Sequence, residues 1–370
     1  MLPLHLLLTS TSPSHLHWIS PSLLAWSCSP IEHRAVWRQY PSTRLRTHQP
    51  SQGRSSSSRE VSLVISQDPC DPSLAKRDGL RYCAYLGTSG LGAEAILAVA
   101  RKQPSRIFFT GRNSKGAANV ISRAKDANPT LEITFLECDH SSFTSVESAV
   151  KNFQGQSKRL DVLLCNAGVM GMDAGLTKDG YEYQFGVNQM AHALIIKMLL
   201  PTLQSTARQA GDARVVFESS IGFRWTPSGG IRFDELRTTQ DYNFAGRWVR
   251  YGQSKLANVI YASELTQRYP EITAVSVHPG VIWTGLWNVQ WSLLNRVFVY
   301  LATLGQSISV EEGANNPCWA MTTSKASISP GAFYEKVGVI GSGTKDSKSK
   351  ELGEKLWTWT QKELEGHGQQ

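Results

Sequence analysis

From Arg81 onward, short apolar runs alternate with stretches in which apolar residues recur every three or four positions, the period of a helix face. The runs predict strands over 81–86 (RYCAYL), 106–110, 131–138 (LEITFLEC), 160–165 (LDVLLC), 214–219 and 272–277. Between them the spacing predicts helices over 93–103, stopped by Pro104, then 113–127, 142–153, about 181–203 (closed near its end by Pro201) and about 249–268. Strands without internal proline that alternate with helices in this way predict an α/β fold. The expected form is a doubly wound parallel sheet, Rossmann-type, in a single domain with substrate-lid insertions. No internal repeat is visible.

Two insertions break the rhythm. One, 222–248, carries Phe223, Trp225, Tyr242, Phe244 and Trp248; the other, 283–309, carries Trp283, Trp287, Trp291, Phe298 and Tyr300. Ligands of an open α/β sheet lie beyond the carboxyl ends of its strands, and both insertions follow such ends. They are expected to wall and cover an apolar pocket. An aromatic-rich core and an oligomer contact, such as a homodimer, remain open alternatives. At the far end, KELGEKLWTWTQKELE places Leu352, Leu356, Trp359 and Glu363 at near-turn spacing, with Trp357 beside them. Acidic Glu351, Glu354, Glu363 and Glu365 argue against membrane docking, so the helix is expected to pack beside the pocket.

Composition changes this picture only in the first 60 residues, which hold no convincing element and leave 80–365 as the domain. They carry six Arg and two Glu, Glu32 and Glu60, and so account for half of the formal charge of +8. No basic stripe with interleaved aromatics occurs elsewhere, and no nucleic-acid partner is expected. LPLHLLL at 2–8 is too short to span a bilayer and lacks the basic flank of a secretory signal. Residues 10–60 are rich in Ser, Pro, Arg and His. A mitochondrial-type presequence, disorder and a wrongly chosen start are all compatible with that. A cytoplasmic protein without a transmembrane segment is expected, with peripheral membrane or mitochondrial targeting left open. The six cysteines are scattered, without metal-ligand spacing, and predict reduced apolar filler and no metal.

The candidate chemistry centres on YGQSK at 251–255. A tyrosine and a lysine four apart share one helix face, so the ammonium of Lys255 can favour the phenolate of Tyr251 for proton transfer near neutral pH. The bare spacing is equally compatible with a packed tyrosine and a solvated lysine. GTSGLG at 87–92 follows the first strand, where a glycine turn and helix-terminal amides can take a diphosphate. After the second strand comes TGRN at 110–113. An acid at this place suits the ribose hydroxyls of NAD, whereas a base suits the 2′-phosphate of NADP. Arg112 is the candidate and Lys115 a second contact; a solvated arginine is the alternative. There is no G-x-S-x-G elbow, which argues against a serine hydrolase.

Taken with NAG at 166–168, the paired serines 219–220 and HPG at 278–280, these motifs resemble the short-chain dehydrogenase/reductase family over roughly residues 80–365. YGQSKLAN is similar to its retinol-dehydrogenase-like branch with the fungal members, as is the chain's ending. The resemblance implies a catalytic set of Asn188, Ser220, Tyr251 and Lys255. Asn188 would hold a water linking Lys255 to solvent, and Ser220 would bind the carbonyl oxygen. Tyr251 would act as general acid or base, and Lys255 would lower its pKa and reach the nicotinamide ribose. NADP would lie along Gly87, Ser89, Gly90, Leu91 and Gly92, with Asp139 and Cys138 edging the adenine. Asn166, Ala167 and Gly168 would pass beneath the ribose, and Val281 and Thr284 would meet the carboxamide. His278 is expected to be structural.

Two departures stand out. Where the family carries a leading Thr and a first Gly, this chain has Tyr85 and Leu86, and a leucine there would crowd the diphosphate. Glu218 replaces a residue that is commonly small or apolar. The implied function is interconversion of a carbonyl and an alcohol on an apolar small molecule (lipid, polyketide or terpenoid-like) in secondary metabolism. The alternative is a non-catalytic binding or scaffold member, or the product of a damaged reading frame.

Overall fold

The structure is a computed structural model that describes residues 81–85, 87–242, 245–282 and 307–369. All of them lie in Val64–Gln370, one of two compact units of the chain. The expected strands form as β1 (Arg81–Tyr85), β2 (Arg106–Gly111), β3 (Glu132–Glu137), β4 (Val162–Cys165), β5 (Arg214–Glu218) and β6 (Thr273–Val277). Short strands follow: β7 (Val281–Ile282), β8 (Ser307–Ile308), β9 (Phe333–Lys336) and β10 (Val339–Ile340). The main sheet runs β10-β9-β6-β5-β4-β1-β2-β3, parallel throughout except for the β9–β10 hairpin. Crossing from β3 to β4 past β1 reverses the winding direction, and the crevice beyond that reversal is the ordinary ligand position.

The reason for a two-sided fold lies in the strands themselves. Every residue of β4 and β6 is buried, as is nearly all of β2 and β5, so both faces of the sheet need cover. Side chains alternate across it. Leu163, Val215 and Phe217 enter one core, and Leu164, Val216 and Val275 the other. One face is covered by α1 (Gly90–Ala100) and α2 (Ser114–Ala127). The opposite face is covered by α3 (Phe143–Gln156), α4 (Ala191–Ala210) and α5 (Gly246–Arg268). Of the later helices α6 (Val310–Gly313), α7 (Asn315–Thr322) and α8 (Lys350–Glu363), α7 joins α1, and α8 packs on α5.

The helix expected over about 181–203 is divided. A turn at Tyr183–Phe185 leads into a π-turn, Gly186–Met190, and then into α4. Nor does Pro201 close it. The helix continues to Ala210 and ends at Gly211, whose φ of +77° is a left-handed cap. Leu199, Leu203 and Ala207, buried on both sides of the proline, hold the axis despite the lost backbone bond.

The C-terminal helix packs on the core. Leu356 is fully buried, and Trp359 lies against Tyr181, Phe185 and Phe233. Burial of a leucine side chain contributes roughly 2 kcal/mol. Cys138, Cys165 and Cys318 are buried. Among the described residues no helix is long and apolar enough to cross a membrane, and no cluster of ligands could hold a metal ion.

Candidate active site

The carboxyl ends of β4 and β5 bring the predicted catalytic residues together. α5 carries Tyr251 and Lys255 on one buried face, and Lys255 Nζ lies 5.8 Å from the Tyr251 ring centroid. Ser220 follows β5 and starts a 3₁₀ turn, Ile221–Arg224, its Oγ accepting from the Gly222 amide at 3.1 Å. Its hydroxyl also hydrogen-bonds the Tyr251 phenol. The contact exists because two glycines let backbone and helix meet. A Cβ on Gly222 would lie 2.8 Å from the Tyr251 ring, and one on Gly252 would lie 2.2 Å from the Trp225 carbonyl oxygen.

Asn188 sits in the π-turn, fully buried. Its Oδ1 accepts from the Val169 amide at 2.8 Å, and its Nδ2 donates to the Val169 carbonyl at 3.0 Å and to Ser254 Oγ at 2.9 Å. Both amide hydrogens are therefore spent, and the water-holding role implied for Asn188 cannot run through them. Gly168 lies over this group, since a Cβ there would sit 3.3 Å from Lys255 Nζ and 3.5 Å from Asn188 Oδ1.

Lys255 Nζ donates to the backbone carbonyl of Glu218 at 2.8 Å, and Asn258 Nδ2 shares that acceptor at 3.1 Å. Ser219 Oγ donates to the Lys255 carbonyl at 2.8 Å. Thus Ser219, the serine that the resemblance did not select, has a job of its own: it fixes the helix that carries the lysine. Burial pushes the Lys255 ammonium down and the Glu218 carboxyl up, each partly offset by the charge of the other. Burial also pushes the Tyr251 phenol up to about 12, with the Ser220 hydrogen bond lowering it and Glu218 raising it. The expectation that Lys255 lowers the tyrosine is not met in this state. The ammonium is directed at Glu218, and the phenol answers to burial, Ser220 and Glu218 instead.

The residues expected to contact the nucleotide follow the carboxyl ends of β1, β2, β3, β4 and β6. Gly87 is buried against Ile96 and donates to the Thr110 carbonyl at 3.0 Å. Exposed Ser89 and Gly90 open α1 without a side-chain cap, and Gly90, at φ +57°, takes a conformation that favours glycine. Leu91 and Gly92 follow, both buried. Thr88, which the sequence did not single out, is held against the next loop, 2.5 Å from where a Cβ on Gly111 would stand. Arg112 and Lys115 are exposed beyond β2, and Asn113 caps α2 by accepting from the Gly116 amide at 3.0 Å.

Asp139 accepts from Ser141 and pairs with Lys178 at 2.9 Å, which together hold its carboxyl down at about 2 against the opposing effect of its partial burial. In the NAG turn, the Ala167 carbonyl is 2.9 Å from His192 Nε2, behind which His140 packs at a ring separation of 5.2 Å. Asn166 begins that turn directly after β4. Val281 is in β7, and His278 is buried beside β9, its amide donating to the Tyr334 carbonyl at 2.8 Å. Leu86 and Thr284 lie outside the described residues, as do Phe244 and the aromatics of the second insertion.

The residues fit a dinucleotide. An uncapped helix N-terminus on a left-handed glycine offers amides to phosphate, and Gly168 leaves open the space above Asn188 and Lys255. Of the first insertion's aromatics, Phe223 belongs to the core against Phe333, so it is not a pocket wall. Tyr242 bonds Glu235. Trp225, 48% exposed, stands edge-on to the buried Trp248 at 6.1 Å.

Residues 85–228 match the family model for short chain dehydrogenases. The chain is 37% identical over 203 residues to an uncharacterized oxidoreductase of Schizosaccharomyces pombe, an overlap of 54% of this chain and 59% of that protein. To the short-chain dehydrogenase/reductase drtF of Aspergillus calidoustus it is 30% identical over 307 residues, covering 79% of this chain and 95% of that one. Among solved structures, an NADH-dependent reductase responsible for alginate metabolism shares the fold, with a TM-score of 0.54 and 18% identity over 72% of this chain and 97% of that chain.

Proposed function

The chain belongs to the short-chain dehydrogenase/reductase family, and from that membership we propose that it interconverts a carbonyl and an alcohol on an apolar small molecule with NADP(H). The observation that carries the reading is the convergence of Ser220, Tyr251, Lys255 and Asn188 under Gly168. When bound, the nicotinamide supplies or accepts the hydride. Everything else falls to side chains. Ser220 donates to the substrate oxygen as charge develops on it. Tyr251 gives that oxygen its proton in reduction and takes it back in oxidation. Lys255, fixed by the Glu218 carbonyl, would hold the cofactor ribose.

Ser89, Gly90, Leu91 and Gly92 would hold the diphosphate. Asp139 would meet the adenine, Asn166 to Gly168 the ribose, and Val281 the carboxamide. The preference for NADP rests on Arg112 and Lys115, two exposed bases where an NAD site wants an acid. The fold does not decide the nucleotide, since an NADH-dependent neighbour shares it. Support for an apolar substrate comes from Trp225 and Trp248 and from the likeness of YGQSKLAN to retinol-dehydrogenase-like members.

The test is NADPH consumption by the full chain with a panel of aryl ketones and long-chain aldehydes. Tyr251→Phe should abolish turnover while NADPH still binds. Turnover that survives the substitution, or wild-type protein that binds no nicotinamide nucleotide, refutes the reading.

A further inference from the structure

A carboxyl group stands where the catalytic lysine is anchored, and the chemistry above does not use it. Glu218 ends β5, opposite Val277 in the register with β6. Strand alternation puts its side chain on the Val216 side, away from Phe217. The residue is half-buried, yet its Oε2 is wholly buried with no hydrogen-bond partner. A buried carboxylate oxygen left without a partner is costly. A valine would close this strand end without that cost. The same residue's carbonyl is the acceptor for Lys255 Nζ at 2.8 Å and for Asn258 at 3.1 Å.

We propose that Glu218 is a positioning residue of this site that acts through Lys255: its carbonyl fixes the ammonium, and its carboxyl governs how long Lys255 and Tyr251 keep their protons as the pH rises. The proposal deepens the oxidoreductase reading and rests on it.

Glu218 and Lys255 act on each other's charge, Lys255 lowering the carboxyl and Glu218 raising the ammonium. Tyr251, on the same helix face, senses Glu218. From the β6 side His278 answers to Glu335, Arg224 and Lys255 rather than to Glu218, and from the π-turn side His192 answers to Lys255. Asn166 beyond β4, and Asn316 and Cys318 on α7, bring no charge. Burial disfavours both charged forms, so each group keeps its charge chiefly when the other has one. As the pH rises, Glu218 ionises, and its carboxylate then retains the protons on Lys255 and on the Tyr251 phenol. In carbonyl reduction the phenol must be protonated, so the carboxylate extends that state to higher pH.

Carbon-13 NMR of carboxyl-labelled glutamate in the full-length apo chain tests the coupling without any substrate, the Glu218 signal being assigned by its loss in Glu218→Gln. The signal should titrate well above the ordinary glutamate value of about 4.3. It should move higher still, by about one unit or more, in Lys255→Met, which removes the stabilising charge. Titration in the ordinary range, or a midpoint indifferent to Lys255, overturns the proposal, and the measurement is independent of whether a substrate has been found.

With an aryl ketone that the wild type reduces, Glu218→Gln should bring the high-pH fall in kcat/KM down by about one unit while the Kd for NADPH stays within about twofold. A lower plateau with an unmoved midpoint would mark a purely structural residue and also overturns it. Absence of turnover with the whole panel counts against the oxidoreductase reading alone, and the NMR titration still decides the inference.

Discussion

Asn188 donates a 2.9 Å hydrogen bond to Ser254 Oγ, and Ser254 in turn donates to the Tyr251 carbonyl at 2.8 Å. The π-turn is thereby tied to the helix turn that carries the tyrosine, between two elements far apart in the chain. Ser254→Ala leaves the Asn188 amide with its Val169 bonds but strips one buried tie. The expected cost is about 1–2 kcal/mol of stability, with a several-fold loss of turnover as Tyr251 loses its support. Urea denaturation checks the first part, and an unchanged midpoint would mean that the tie contributes nothing.

Gly252 is set against Gly155. A Cβ at 252 would meet the Trp225 carbonyl oxygen at 2.2 Å, whereas one at 155, in α3, meets nothing within 4 Å. Gly252→Ala should therefore push the Ile221–Arg224 turn off α5, separate Ser220 from Tyr251 and cost about 1–3 kcal/mol or more. Gly155→Ala should raise stability by up to about 1 kcal/mol. Melting temperatures of the two variants moving in the same direction would contradict this packing.

Arg112→Ala should weaken NADPH about tenfold or more while leaving NADH nearly unchanged, because only the 2′-phosphate would lose its charge-assisted bonds. Calorimetric titration of both nucleotides into both proteins measures this. Equal affinities for the two nucleotides in the wild type would remove the basis for an NADP preference.

Acid should destabilise the fold through two histidines. Burial lowers His192 and His278 from the ordinary value of 6.5 to about 4. Both groups have folded pKa values below their unfolded ones. Their contribution is therefore complete above pH about 6.5 and is lost as the pH falls through about 4. The melting temperature should drop over that window. In His192→Gln, which cannot titrate and keeps a donor for the Ala167 carbonyl, the drop between pH 7 and 5 should be smaller. An identical drop in the variant would exclude His192 as a source.

Much of the site was legible because its signals are local. Tyr251 and Lys255 share a helix face through their spacing alone, Gly90 announces its turn, and the family resemblance points to Ser220 rather than Ser219. The partners of those groups were not legible. Ser254 lies between the two motif residues with no spacing signal of its own, and nothing near Asn188 in the chain indicated Val169. Glu218 was noticed as unusual, but its relation to Lys255 appears only when β5 and α5 are side by side.

By itself the sequence determined the order of the six central strands and the helices between them, and their two-sided burial. These follow from periodicities of two and of three to four residues, which act over one or two turns of chain. Tertiary structure decided the rest. It turned the start of the α4 region into a π-turn around Asn188, carried that helix past Pro201, and moved Phe223 from pocket wall to core. It also directed Lys255 at Glu218 and left the Tyr251 phenol to burial, Ser220 and Glu218. The deciding bonds join residues 19, 66 and 37 positions apart (Asn188 with Val169, Asn188 with Ser254, Lys255 with Glu218). Such pairs leave no period in a sequence, because their distance in space is set by sheet order and helix packing, and a buried group takes its proton affinity from whatever that packing puts beside it.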